Sequence, residues 1–313
     1  MPRPSFTGVN TALVTPFTKN YDVDFKALEN LILKQKKSGI HGIVILGSTG
    51  ENPTLTHAEQ EQIIACALKY RSDDFQIYVG SGTNSTAESV RKSIEFVNFA
   101  TKQGLHIDGL MAVVPYYNKP SQKGIFQHFH EIAQALPSVP LCIYNNPPRS
   151  VVNLTIETFI KLVKEHNNIV CIKEAAGNIL SFAETRIALN EVGKTNVSIL
   201  SGDDILFAPS LACGADGIIS VCANAFPNTF LEMFQAAQQS DLARLKKINL
   251  TTHPIIKHVF SVTNPIGVKA LLGKLGLCEN VLRSPLVALE EQEMQSICTA
   301  LDLLANNQVE TLR

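Results

Sequence analysis

Ile169-Val170-Cys171-Ile172-Lys173-Glu174-Ala175 is the stretch that decides the fold. Four apolar residues, three of them β-branched, run without a break into a lysine and a carboxylate. An apolar run of that length predicts a short strand covered on both faces, the habit of parallel sheets. Seven other stretches share the form, at residues 8–14, 42–46, 76–79, 109–114, 140–144, 197–200 and 217–221. Each ends in a polar or glycine-containing turn and leads into a longer amphipathic stretch. In those stretches Thr56-His57-Ala58-Glu59 and Ser85-Thr86-Ala87-Glu88 match the capping box that opens helices. Phe25, Leu28, Ile32 and Gln35 recur at helical spacing, as do Ile94, Val97 and Ala100. Gly39, Gly104, Gly193 and Gly214 fall where helices should stop.

Eight strand–helix units either close into a barrel or wind into an open sheet. The even spacing and the length favour a closed (β/α)8 TIM barrel of the α/β class. An open sheet would more often carry a glycine-rich fingerprint after its first strand, and Leu13-Val14-Thr15-Pro16 is not one. From about residue 226 onward no strand is evident, and residues 227–238, 241–252, 265–277 and 286–304 read as helical. The expected organisation is a barrel over residues 1–225 carrying the active site, with a helical C-terminal subdomain over 226–313 packed on it.

The composition is that of a globular protein: 313 residues, 45% hydrophobic and 18% charged, enough to bury roughly three quarters of the unfolded surface. Twenty-seven basic residues against 28 acidic ones, with no basic stripe, argue against nucleic acid or an anionic membrane as partner. No apolar run nears membrane-span length, and Met-Pro-Arg-Pro-Ser-Phe-Thr-Gly lacks the apolar core of a signal peptide, so a cytoplasmic location is expected. Seven cysteines without a CxxC read as small buried hydrophobes in a reducing compartment.

Barrel chemistry sits at the carboxyl ends of the strands. Lys173 is the sharpest candidate there. Alternation puts it on the face of Cys171; if that face is the inner one, loss of hydration favours a neutral amine that attacks carbonyls. Its bland alternatives are snorkelling to solvent or pairing with Glu174. Gly47-Ser48-Thr49-Gly50 offers backbone N–H groups and two hydroxyls, suited to a small carboxylate or simply to a tight turn. Tyr117 and Tyr144 are proton relays or packing residues. Arg149, after two prolines, is a carboxylate clamp or a surface ion-pair partner. Asp203-Asp204 reads as a turn into a helix rather than a metal site, and His128 and His130 as surface or capping residues of a helix.

Taken together, Gly47-Ser48-Thr49-Gly50-Glu51, Tyr116-Tyr117-Asn118-Lys119-Pro120, Tyr144-Asn145, Ile172-Lys173-Glu174-Ala175, Ser201-Gly202-Asp203-Asp204 and Asn264-Pro265-Ile266 occur in the order of a known family. The chain resembles the pyruvate-dependent class I aldolase/N-acetylneuraminate lyase superfamily, nearest its dihydrodipicolinate synthase family, over essentially its whole length. The resemblance implies that Lys173 forms an imine with pyruvate, that Ser48 and Thr49 bind the pyruvate carboxylate, and that Thr49, Tyr144 and Tyr117 pass protons. Gly202 and Ile219 would line the pocket through their backbone. It implies no cofactor and no metal, with pyruvate and L-aspartate 4-semialdehyde as small-molecule substrates and 4-hydroxy-tetrahydrodipicolinate, of lysine and diaminopimelate biosynthesis, as product. Tyr117 would reach a neighbouring copy, as in a homotetramer built as a dimer of dimers.

Arg149, five residues after Tyr144, matches the arginine that holds the semialdehyde carboxylate. N-acetylneuraminate lyases and 2-keto-3-deoxy sugar acid aldolases, the alternative reading, typically lack it. A non-catalytic barrel binding pyruvate-like ligands is the remote one. Two departures bear on the substrate: Ser48 replaces the usual Thr, and Pro147-Pro148-Arg149-Ser150-Val151 replaces Pro-Ser-Arg-Thr-Gly. His57, Asn84, Glu88 and Tyr116 match a lysine feedback site, but Gln60 and Pro53 stand where sensitive members have His and Ala, so weak or altered feedback is expected.

Overall fold

The computed structural model describes residues 6–306; the reading of the N-terminus rests partly on residues 1–5, which lie outside them. Eight strands form a closed barrel in chain order. They are β1 (Gly8–Ala12), β2 (Gly42–Ile45), β3 (Gln76–Gly80), β4 (Gly109–Val113), β5 (Leu141–Asn145), β6 (Ile169–Glu174), β7 (Ser198–Ser201) and β8 (Gly217–Ser220). The helices within the barrel are α1 (Phe25–Ser38), α2 (His57–Leu68), α3 (Thr86–Lys102), α4 (Gln122–Ala135), α5 (Pro147–Ser150), α6 (Ile156–Glu165), α7 (Leu180–Glu191) and α8 (Phe207–Ala212). After β8 come α9 (Pro227–Gln238), α10 (Leu242–Val259), α11 (Ile266–Lys274) and α12 (Gln295–Asn306). All eight apolar runs are strands, and no described helix is long and apolar enough to cross a membrane.

The chain groups into two compact units. One is the segment ending at Gly8 with Gln76–Ile219; the other is Val9–Phe75 with the segment from Ser220 onward. In the first unit, α6 shows how a helix here is made. The Thr155 hydroxyl accepts the Thr158 N–H at 3.3 Å, and Phe159, Leu162 and Val163 form a buried stripe. Each such side chain contributes about 2 kcal/mol on burial. The helix stops at His166, whose backbone turns extended and leads into β6. There Lys173 pairs with Tyr144 of β5 on one side and Leu200 of β7 on the other. Gly217, at φ +150°, is required because a Cβ would stand 1.9 Å from the Gly8 carbonyl oxygen.

Several local expectations are corrected. Ser85 caps α3 through the Glu88 N–H, but its own N–H goes to Thr83 Oγ1 at 3.1 Å while Arg91 holds the Glu88 carboxylate, so the box is half made. The core stripe of α3 is Ser93, Phe96 and Ala100, with Ile94 and Val97 only half-buried, because α3 also packs on α4. In the second unit, α10 runs through Pro254 to Val259 rather than stopping at Thr252. Burial of Ile255, Ile256 and Val259 offsets the hydrogen bond the proline removes. Conversely, residues 286–294 are not helical, and α12 starts only at Gln295. His128 is neither surface nor cap: it is buried, with Nδ1 3.0 Å from Thr86 Oγ1. All seven cysteines are free, four of them buried.

Candidate active site

In the first unit Lys173 lies on the face of β6 opposite Glu174. Ile172 and Glu174 line a small cavity with Phe159 of α6 and Thr185 of α7, so the even positions face the helices. Lys173 therefore faces inward, as does Cys171 two residues earlier, whose thiol burial pushes well above its ordinary range. The expected alternatives for Lys173 both fail. It is 5% exposed, so it does not snorkel, and Glu174 is engaged elsewhere. Asn145 Nδ2 donates to both Glu174 oxygens, at 3.2 and 3.0 Å, and the Ala176 N–H donates at 2.7 Å. Burial nevertheless raises the Glu174 carboxyl above its ordinary value, these hydrogen bonds opposing it.

The Lys173 amine stands 4.3 Å from the centre of the Tyr144 ring and makes no hydrogen bond or ion pair among the described residues. Tyr144 is buried too, and its hydroxyl oxygen accepts from the Asn146 amide, which leaves the phenolic proton free to be donated. Gly202 completes the cluster. A Cβ there would meet Lys173 Cε at 2.9 Å and Cγ at 3.1 Å, so the lysine stem lies directly on the Gly202 backbone. Ile219 is buried in β8.

Tyr117 is not brought into this cluster. It is 87% exposed at φ +71°, and the Asn118 N–H bonds to the Tyr116 carbonyl at 2.8 Å. That three-residue turn is the strained γ form. Arg149 is exposed on the four-residue helix α5, and Val151 after it adopts φ +65°.

The second unit holds the turn after β2. Leu46 and Glu51 flank it at φ +55° and +52°, and the Gly50 N–H closes it on the Gly47 carbonyl at 3.1 Å. Among the described residues the N–H groups of Ser48 and Thr49 donate to nothing, so two adjacent donors remain for an anion. Thr49 Oγ1 accepts from Asn264 Nδ2 at 3.0 Å, leaving its own proton available. Glu51 fixes the end of the turn: it pairs with the fully buried Lys269, which lies 4.0 Å from the centre of the Phe17 ring, and accepts the Arg283 N–H at 3.0 Å. Arg283 in turn reaches Glu59, whose carboxyl it holds down at about 2.

Asn146, Lys269 and Arg283 carry weight that the sequence reading missed. Only Asn146, two residues after Tyr144, had a local signal. At the matched feedback positions, His57 opens α2 with Nε2 3.4 Å from Glu61, Asn84 accepts from Asn118 at 3.1 Å through its carbonyl, and Tyr116 is exposed. Gln60 is buried and donates to Asn52 Oδ1 at 2.8 Å.

The sequence pattern of the Dihydrodipicolinate synthetase family matches residues 5–303. The chain belongs to that family. The 4-hydroxy-tetrahydrodipicolinate synthase of Aquifex aeolicus is 39% identical over 287 residues, spanning 92% of this chain and 94% of its own. Among solved structures, the 4-hydroxy-tetrahydrodipicolinate synthase of Methylacidiphilum fumariolicum superposes with a TM-score of 0.91 at 34% identity, covering 98% of both chains. The chloride-inhibited dihydrodipicolinate synthase of Acinetobacter baumannii, solved with pyruvate, gives 0.88 at 35% identity over 96% of this chain and 99% of that one. Members of the Dihydrodipicolinate synthetase family thus share this fold over nearly the full length of the chain.

Proposed function

We infer that the chain condenses pyruvate with L-aspartate 4-semialdehyde to give 4-hydroxy-tetrahydrodipicolinate, a step toward lysine and diaminopimelate. The observation that carries this reading is the buried, unpaired Lys173 amine lying between the Tyr144 ring and the Gly202 backbone. Lys173 attacks C2 of pyruvate and expels water, leaving an imine. Loss of a methyl proton gives the enamine, whose carbon adds to the aldehyde while the new alkoxide takes up a proton. The amine of the adduct then attacks the imine carbon and displaces Lys173, closing the ring. The lysine acts as the electron sink throughout.

We assign the pyruvate carboxylate to the Ser48 and Thr49 N–H groups, and proton transfer to Thr49, Tyr144 and Tyr117. The first two each keep a donatable proton, which supports the assignment. Arg149 would hold the semialdehyde carboxylate, a charge-assisted contact of about 1.5–3 kcal/mol that a neutral sugar chain does not make. Gly202 and Ile219 would line the pocket. The helical segment from residue 226 would support the site rather than react: Asn264, Lys269 and Arg283 all reach the turn at residues 47–51. Exposure and strain at Tyr117 support its insertion into a neighbouring copy, within a homotetramer in the cytoplasm.

The test is turnover of pyruvate with aspartate semialdehyde, coupled to the following reductase, beside Lys173→Ala and borohydride trapping. Turnover and a trapped pyruvyl adduct, both lost in Lys173→Ala, are expected. Trapping without turnover would move the substrate to a keto-sugar acid, and no trapping at all would leave a binding barrel. Lysine feedback should be weak, because the Gln60 amide is committed to Asn52, in the turn before α2. Full inhibition by micromolar lysine in a titration would overturn that.

A further inference from the structure

At the other end of β6 from Lys173, three metal-ligating side chains converge. His130 lies on α4, Glu165 is the last residue of α6, and His166 caps that helix just before β6. His130 Nδ1 stands 3.0 Å from His166 Nε2 and 2.8 Å from Glu165 Oε1, and the third edge of the triangle is 3.9 Å. Donors held 2.0–2.1 Å from a tetrahedral zinc lie about 3.3 Å from one another. The observed edges bracket that value.

We propose that His130, Glu165 and His166 bind a zinc-class divalent cation that clips α4 to the junction of α6 and β6. Two imidazoles and one carboxylate suit zinc and its neighbours rather than magnesium or calcium, which take oxygen donors. Without a cation, the one proton that His130 Nδ1 can carry is faced by both His166 Nε2 at 3.0 Å and Glu165 Oε1 at 2.8 Å. A carboxylate also sits at a helix C-terminus, where the helix dipole disfavours it, and a cation answers both. Phe126, one turn before His130, stacks on its ring with centroids 5.9 Å apart and holds its plane. The three side chains are 24%, 48% and 12% exposed in chain order, so an ion enters from solvent and water completes the coordination. The amino end of barrel strands carries stability rather than catalysis. The role is therefore structural, and the proposal rests on none of the reaction chemistry above.

The experiment titrates chelator-stripped protein with Zn2+ by calorimetry and with Co2+ by visible absorption, and repeats both on His130→Gln, His166→Gln and the control His106→Gln. One ion per chain, a tetrahedral cobalt band without thiolate charge transfer, and a rise in Tm with zinc are expected. Affinity should fall about tenfold or more in the two ligand variants and not in the control. Failure of the wild type to bind, or equal binding by all four proteins, would overturn the proposal and leave the cluster as an ion pair. A cobalt–thiolate band would also overturn it, by placing the ion on cysteine.

Discussion

Gly202 is bare because the stem of Lys173 occupies the space a side chain would need. Gly202→Ala would put its methyl 2.8 Å from the Ala175 Cβ and 2.9 Å from Lys173 Cε, and of the two only the flexible lysine can swing away. A displacement of about 1 Å at a reacting group costs on the order of a hundredfold in rate. The expected result is a loss of that size in both kcat and the rate of borohydride trapping, with Tm little changed. His128 offers a second test. Burial lowers its imidazole to about 4, with Glu131 opposing only weakly. The folded value lies below the ordinary 6.5, so as pH falls the unfolded chain takes the proton first. Stability is full above pH 6.5 and declines through the window down to about 4, by about 3 kcal/mol. In urea melts across that window the wild type should lose stability relative to His128→Gln as the pH falls.

Val151 gives the corresponding test at the scale of an element. It closes α5 at φ +65°, a conformation that costs a β-branched residue about 1–2 kcal/mol, where the family pattern has glycine. Val151→Gly should raise stability by about 1 kcal/mol in urea melts, the gain being reduced by the freedom glycine adds to the unfolded chain. Val151→Ala, which keeps a Cβ, should gain less. Such elements were largely legible: strands announced themselves as unbroken Val/Ile runs, and helix ends as Gly39 and Gly104, both at positive φ. Legibility failed where a distant contact overrode a local signal. Thr83 displaced the second arm of the Ser85 box, and apolar packing carried α10 through Pro254.

For the molecule as a whole, the decisive test concerns copies of the chain. If Tyr117 serves the Lys173 of a neighbour, two inactive variants complement each other. Lys173→Ala supplies an intact Tyr117, and Tyr117→Phe an intact Lys173. Coexpressed one to one, half the dimers are mixed and each has one competent site of two, so about a quarter of wild-type activity should return. No recovery would place Tyr117 in its own chain's chemistry. Lys173 could be read from the sequence because its strand and neighbours are local. The clamps on Glu51 could not: nothing near residues 47–51 announces Asn264, 215 positions from Thr49, or Arg283, 232 positions from Glu51. That separation also sets a clock on synthesis. A ribosome adding about 5–20 residues per second releases the turn some 10–50 s before its last clamp has been made. For most of that interval the carboxylate of Glu51 has neither Lys269 nor Arg283 to receive it, so the nascent chain carries an unfinished turn until residue 283 has been added.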